Sequence, residues 1–370
     1  MLEVNITKKL NQFTLHSEFT VQDNETLALL GSSGSGKSMT LRCIAGIVEP
    51  DNGYIRLNGR TLYDSDKMIN LPPQDRKVGY LFQDYALFPN MKVRENILTA
   101  IKLRSEYVEQ SLSFRLGEMG RNYVNNECDS LLDRFKIKEI ENQYTDMISG
   151  GQKQRTALAR MLAAQPDLIL LDEPFSSLDS NLKWTLEQEV MRLLESVVKP
   201  RILVTHNRDE VYLLADKVSC ISDGLTQEVQ DKEDFFASPK TVEAAILSGC
   251  KNISYYNEEK SELTDWGINI SESPVIGRID RQNIKAVGIR AHSLIPDYMK
   301  DKEQSLDSYW KIPVYSYECG EEMFEWVMSF RPSKEATSKM QWRVSKQVYR
   351  DKPQAPEYFL VDMEKGLLLF

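Results

Sequence analysis

No stretch of the 370 residues approaches the roughly 18 consecutive apolar residues that a membrane-spanning helix needs, so any membrane role has to come through a partner. Positive charge is short as well. The 46 Lys and Arg stand against 55 Asp and Glu, a net charge of −9, without the clustered basic excess that neutralises nucleic-acid phosphates; no nucleic-acid partner is expected. Cysteine is sparse: Cys43, Cys128, Cys220, Cys250 and Cys319 are odd in number and show no C-x-x-C spacing, which excludes a disulfide framework and a cysteine zinc site. A reduced cytosolic setting is expected. Met1 to Leu10 carries Lys8 and Lys9 with no apolar run behind them, so no secretory signal is expected.

What is present is an ordinary globular balance, 41% hydrophobic and 27% charged, in a chain long enough for two domains. Alternation at Leu2, Val4, Ile6 and at Phe13, Leu15 predicts N-terminal strands, and Thr26 to Leu30 leads into a glycine-rich turn. A helix follows from Lys37. Asp51-Asn52-Gly53 and Asn58-Gly59 bracket Tyr54 to Leu57 as an antiparallel hairpin region. Val93 to about Lys138 is helical in period, interrupted weakly at Gly117 to Gly120, and predicts a helical subdomain at about 90–165 inserted in an α/β core. Leu168 to Leu171 and Ile202 to Val204 read as strands buried on both faces. Leu182, Leu186, Val190, Leu193, Leu194 and Val197 give the crossover helix between them. After Pro239 this rhythm gives way to short Tyr-, Trp- and Val-containing stretches. The expected division is 1–238 for the α/β domain, 239–252 as linker and 253–370 as a small β-rich domain.

Gly31-Ser32-Ser33-Gly34-Ser35-Gly36-Lys37-Ser38 fits G-x-x-x-x-G-K-[ST] between a strand and a helix. Gly34 and Gly36 let backbone N–H groups curl around phosphate oxygens, Lys37 can reach the β- and γ-phosphates, and the Ser38 hydroxyl can ligate Mg2+. Leu168 to Leu171 ends in Asp172 and Glu173, at the carboxyl edge where parallel sheets place ligands. Asp172 suits Mg2+, held through water, and Glu173 the water that attacks the γ-phosphate. Ile148-Ser149-Gly150-Gly151-Gln152 opens another helix and reads either as an anion-binding N-terminus or as an ordinary serine cap. His206 alone reads more readily as structural than catalytic, and Phe13 is open between core packing and ring stacking.

Together these segments resemble the ABC ATPase family, over about two thirds of the chain; its signature usually begins with Leu where Ile148 stands here. The resemblance implies a P-loop ABC cassette with an inserted helical subdomain, ATP and Mg2+ as ligands, and hydrolysis at a site shared by two cassettes. It further implies that Gln83, after the strand Val78 to Phe82, touches Mg2+ or the attacking water and links nucleotide to a transmembrane partner. His206 becomes the switch histidine, Ser177-Leu178-Asp179 the D-loop, and Phe13 the candidate to stack on adenine. Lys37, Ser38, Gln83, Asp172, Glu173 and His206 act from one chain, with Ser149, Gly150 and Gly151 from the other, and Gln152 is counted among the nucleotide-binding residues. A GTPase would carry N-K-x-D, which is absent, and a DNA-repair or translation ABC protein often carries two cassettes or long coiled coils.

Gln83-Asp84 followed by Tyr-Ala-Leu-Phe-Pro-Asn-Met is similar to importer ATPases of the maltose, sulfate and molybdate type. That resemblance implies permease partners, an indirect solute-binding partner, and a peripheral place on the cytoplasmic membrane face. Val287 to Ser293 looks like part of the accessory β-barrel of such importers, with Arg290 and His292 as plain barrel residues. Phe13 to Phe19, Ile69 to Arg76 and Ala244 to Ile253 look like the molybdate importers. Molybdate is therefore the first cargo expected, with sulfate, tungstate, iron, polyamine or sugar as alternatives. The last part of the chain lacks the S-A-R-N-type segment that oxyanion-binding domains often carry.

Overall fold

The computed structural model describes residues 1–11, 13–104, 117–176, 187–188, 190, 192, 197–279, 284–299 and 308–370. The expected crossover helix and Ser177 to Asp179 fall mainly or wholly outside the described residues. The chain divides into two compact units, Met1–Lys232 and Glu233–Phe370.

The first unit is built on one mixed sheet. Its parallel part runs in the order β10 (Lys217–Ser222), β3 (Thr26–Leu30), β9 (Arg201–Thr205), β8 (Leu168–Asp172), β7 (Val78–Leu81). β3, β8 and β9 are buried at every residue, as the continuous apolar runs require of strands covered on both faces. The antiparallel part joins β1 (Leu2–Lys9), β2 (Thr14–Val21), β4 (Asn52–Leu57), β5 (Arg60–Asp64) and the two-residue β6 (Ile69–Asn70). Asn58 and Gly59 adopt φ of 52° and 76°, the left-handed pair that a tight hairpin between β4 and β5 needs. Short β11 (Leu225–Thr226) and β12 (Gln230–Asp231) complete the sheet.

α1 (Lys37–Ala45) buries Leu41, Cys43, Ile44 and Ala45. It stops at Gly46, whose φ of 78° lets its N–H reach back to Cys43. The fully buried Arg76 holds that end: Nη1 donates to the Cys43 and Ile44 carbonyls, both at 2.9 Å, a cation on the negative pole of the helix. A side chain at position 46 would collide with the Arg76 guanidinium, 2.5 Å from its added Cβ.

The inserted helical part comprises α2 (Val93–Lys102), α3 (Glu118–Arg134) and α4 (Gly150–Ala163). Val93, Ile97, Ile101, Val124, Cys128, Leu132 and Leu158 share one apolar cluster with Ile169 and Leu171 of β8. Gly117 is the N-cap of α3.

The second unit is β-rich. β13 (Asn252–Asn257), β14 (Glu262–Leu263), β15 (Ile268–Asn269), β16 (Ala286–Ile289) and the late β23 (Leu367–Leu369) form one sheet. β17 (Ile295–Pro296) and β18 (Tyr309–Pro313) flank β22 (Tyr358–Asp362), while β19 (Ser316–Glu321), β20 (Glu325–Arg331) and β21 (Met340–Ser345) make a third sheet. Trp266, Trp310, Phe330, Trp342 and Phe359 fill the core. The stretch 239–252, expected as linker, is folded instead: Thr241 Oγ1 accepts from the Ala244 N–H at 3.1 Å and caps α6 (Val242–Leu247), so α5 (Arg208–Leu214) and α6 fall in different units. Arg290 donates to the carbonyls of Phe236 and Ser248, and His292 is exposed. Among the described residues no helix is long and apolar enough to cross a membrane.

Candidate functional site

The glycine-rich loop spans the gap between the buried end of β3 and the start of α1. Close approach fixes its glycines. A Cβ on Gly31 would lie 2.4 Å from the Ile221 carbonyl oxygen, and one on Gly36, at φ 110°, 2.8 Å from Leu15 Cδ1. Gly36 leaves the N-terminus of α1 without a side-chain cap, so its free N–H groups and positive pole face whatever binds there. Lys37 is 5% exposed. Its ammonium donates to the Gly31 and Ser32 carbonyls at 2.9 and 2.7 Å. Burial holds its pKa below the usual lysine value, against the pull of Glu173 and Asp172. The Ser35 hydroxyl is buried without a hydrogen-bond partner among the described residues, which suits an arriving oxyanion.

β8 carries Asp172 to the same place. Ser38 Oγ donates to Asp172 Oδ1 at 2.7 Å, and the Tyr80 hydroxyl from β7 donates to Oδ2 at 2.8 Å. Burial, and then the charge of Asp172, push the Tyr80 pKa upward, so the phenol stays a donor. Tyr80 was not foreseen as a site residue; the one signal was a hydroxyl in an otherwise apolar strand. The oxygen donors of Ser38 and Asp172 fit Mg2+, which takes one or two carboxylates and completes its shell with water and phosphate. No group of three or more His, Cys, Asp or Glu able to hold a metal occurs among the described residues. Gln83 sits exposed in the turn just beyond β7.

Glu173 continues from β8 with its N–H on the Val204 carbonyl of β9 at 2.9 Å. Its Oε1 meets His206 Nδ1 at 3.3 Å, the carboxylate largely covered and the imidazole more than half exposed. The turn holding His206 is tied down beneath. Thr205 Oγ1 donates to Glu210 Oε2 at 2.6 Å and accepts the Asn207 N–H at 3.0 Å, while Asn207 caps α5. Phe13 is half-buried beside the loop: Cβ atoms on Gly36 and Gly224 would lie 3.5 and 2.4 Å from its ring. Its neighbour Leu15 is the buried one.

Lys37, Ser38, Asp172, Glu173 and His206 thus converge at the ends of adjacent strands and the loop between β3 and α1. Ser149, Gly150, Gly151 and Gln152 do something different. Ser149 and Gly150 are exposed at the start of α4, and Ser149 and Gln152 close a capping box, Ser149 N–H to Gln152 Oε1 at 2.9 Å and Gln152 N–H to Ser149 Oγ at 3.4 Å.

The ABC transporter family matches residues 15–176. The molybdenum import ATP-binding protein ModC of Haemophilus influenzae is 35% identical over 239 residues, covering 65% of this chain and 63% of that protein. The sulfate/thiosulfate import ATP-binding protein CysA of Mycobacterium tuberculosis is 35% identical, covering 68% and 66%, and the Fe(3+) ions import ATP-binding protein FbpC 2 of H. influenzae is 38% identical, covering 65% of each. The matched stretch thus spans a little under two thirds of these relatives. A solved ATP-binding cassette, dimeric and bound to ADP and Pi after hydrolysis, superposes with a TM-score of 0.51 at 24% identity, covering 63% of this chain and 99% of that one, a likeness of fold. Residues 15–176 thus carry a domain of the ABC transporter family.

Proposed function

We propose that this chain is the ATP-hydrolysing subunit of an importer, working as one of two cassettes that close around ATP. The observation that carries the reading is the convergence of Ser38, Asp172, Glu173 and His206 beside the uncapped N-terminus of α1. Free N–H groups and Lys37 bind and orient the triphosphate, and Ser38 and Asp172 hold Mg2+. The metal, when bound, neutralises charge building on the phosphate oxygens. Glu173 orients the attacking water and takes its proton as the new P–O bond forms and the bond to ADP breaks, releasing phosphate. His206, whose Nδ1 lies 3.3 Å from Glu173 Oε1, contributes a second polar group on the γ-phosphate side, and Gln83 carries the state of the site toward a permease. Asp179 and the α4 start, Ser149 to Gln152, serve the partner cassette's nucleotide. Phe13 stacks on adenine from beside Gly36.

Three relatives named for import of molybdenum, sulfate/thiosulfate and Fe(3+) support import as the task. Two of the three names are oxyanions or their metal, which supports molybdate as the first cargo to test. The protein then sits on the cytoplasmic face of the membrane through its permease, with a solute-binding protein reached indirectly.

Glu173→Gln is the test. Mg2+-dependent ATPase activity is expected to fall by about a thousandfold while nucleotide binding persists, and dimers are expected to accumulate with ATP on size-exclusion chromatography. Wild-type turnover in that variant removes Glu173 from its role. For the cargo, loss of molybdoenzyme activity in a deletion strain at limiting molybdate, restored by excess, supports molybdate; normal molybdenum accumulation refutes it.

A further inference from the structure

Gln154 lies on α4, about 6 Å along the axis from Gly150 at 1.5 Å per residue, and is completely buried. Its Nε2 donates to the carbonyl of Pro174 at 3.1 Å. Because a carbonyl can only accept, that contact fixes which end of the amide is nitrogen. The other end, Oε1, is buried without a hydrogen-bond partner among the described residues. A buried acceptor left without a partner is destabilising, so an apolar side chain of the same size would suit this interior better, unless the one bond that Gln154 makes is needed.

That bond falls one residue beyond Glu173, whose φ of 45° is a left-handed conformation that is strained for a residue with a side chain. Such a turn persists only when its surroundings over-determine it. The Glu173 N–H is held by Val204 at 2.9 Å, and the Glu173 carbonyl accepts from the Ser176 N–H at 3.2 Å and Ser176 Oγ at 3.0 Å. Those restraints come from the adjacent strand and from the turn itself. Gln154 adds a restraint from α4, the helix whose first residues are Gly150 and Gly151 and whose cap is Ser149.

We propose that Gln154 is a positioning residue that locks the Glu173–Pro174 turn to α4, so that the seating of the α4 N-terminus on the partner's nucleotide is transmitted to the carboxylate that orients water in this chain's own site. The inference rests on the reading of the chain as a paired ATPase. Gln154 touches neither nucleotide nor water in this scheme. It sets where Glu173 can stand.

Gln154→Met keeps length and approximate volume and removes the donor. Its kcat for ATP is expected to fall about ten- to a hundredfold with KM little changed, and ATP-dependent dimerisation in a Glu173→Gln background is expected to persist. Gln154→Glu supplies a donor only while its carboxyl is protonated, that is, below its pKa, which burial raises. Its kcat relative to wild type is therefore expected to climb as pH falls from 8 to 6. A side chain that merely fills space would lower the melting temperature and give no such pH dependence. Methionine-variant turnover within twofold of wild type, or a flat pH ratio for the glutamate variant, overturns the proposal. Should the methionine variant fold poorly, the pH ratio decides alone. An inactive wild type would instead sink the ATPase reading itself, so the two failures are distinguishable.

Discussion

Two helix N-termini in the first unit lie at segments that carry serine and glycine and are finished in opposite ways. At α1 the last residue before the helix is Gly36, which offers no side chain to the free N–H groups. At α4 it is Ser149, which satisfies one of them and is satisfied in return by Gln152. An N-terminus without a cap is less stable alone and available to an external anion; a capped one is stable alone and must exchange a bond to take a ligand. The Ser149 Oγ contact of 3.4 Å is at the long end for such a bond, so little is lost when it is exchanged for a phosphate oxygen. On the proposed function, α1 serves as the permanent phosphate seat and α4 as the side that engages on closure.

The sharpest way to break that distinction is to disable each end in separate chains. Lys37→Ala and Ser149→Arg are each expected to lower ATPase activity by about a hundredfold or more, the first at the chain's own nucleotide and the second at its partner's. A mixed dimer retains one intact composite site and is expected to regain measurable activity. No recovery on mixing argues against a site shared in this way. A smaller effect is expected from Gly36→Ala, which places a side chain at φ 110° and 2.8 Å from Leu15. It should cost about 1–3 kcal/mol of stability, read by urea denaturation, and weaken ATP binding as well. The smallest belongs to Ser149→Ala, about 1 kcal/mol from the lost cap. Its stability loss should appear without ATP and leave the isolated monomer's nucleotide affinity unchanged, and a change in that affinity would mean that α4 already serves its own chain's site.

Much of this site was readable in the residues because its chemistry is carried by short contiguous segments. Gly31 to Ser38 has to lie between a strand and a helix, and Asp172-Glu173 has to end a buried strand, so local pattern and location coincide. His206 after β9 was singled out only through the family resemblance, since alone it reads as structural. Tyr80 and Gln154 were not readable for the complementary reason: each looks ordinary within its own element, a residue of a short strand and a polar position on a helix. Their meaning arises from partners 92 and 20 residues away, which no local period reports. The folded stretch 239–252 escaped for a related reason, since α6 is only six residues long and too short to show a helical repeat. Arg76 was legible only as part of a familiar stretch, whereas its place under the C-terminus of α1 comes from packing.

The left-handed backbone at Glu173 bears on how this protein could be engineered or could drift. A glycine there would relax the turn, and most searches for thermostable variants reward such relief. On the proposed function, the residue that would fold most comfortably at position 173 is not the one that handles the attacking water. Selection for robustness alone therefore pushes this position toward a well-folded protein that no longer turns over, and only selection that includes turnover keeps the glutamate in place.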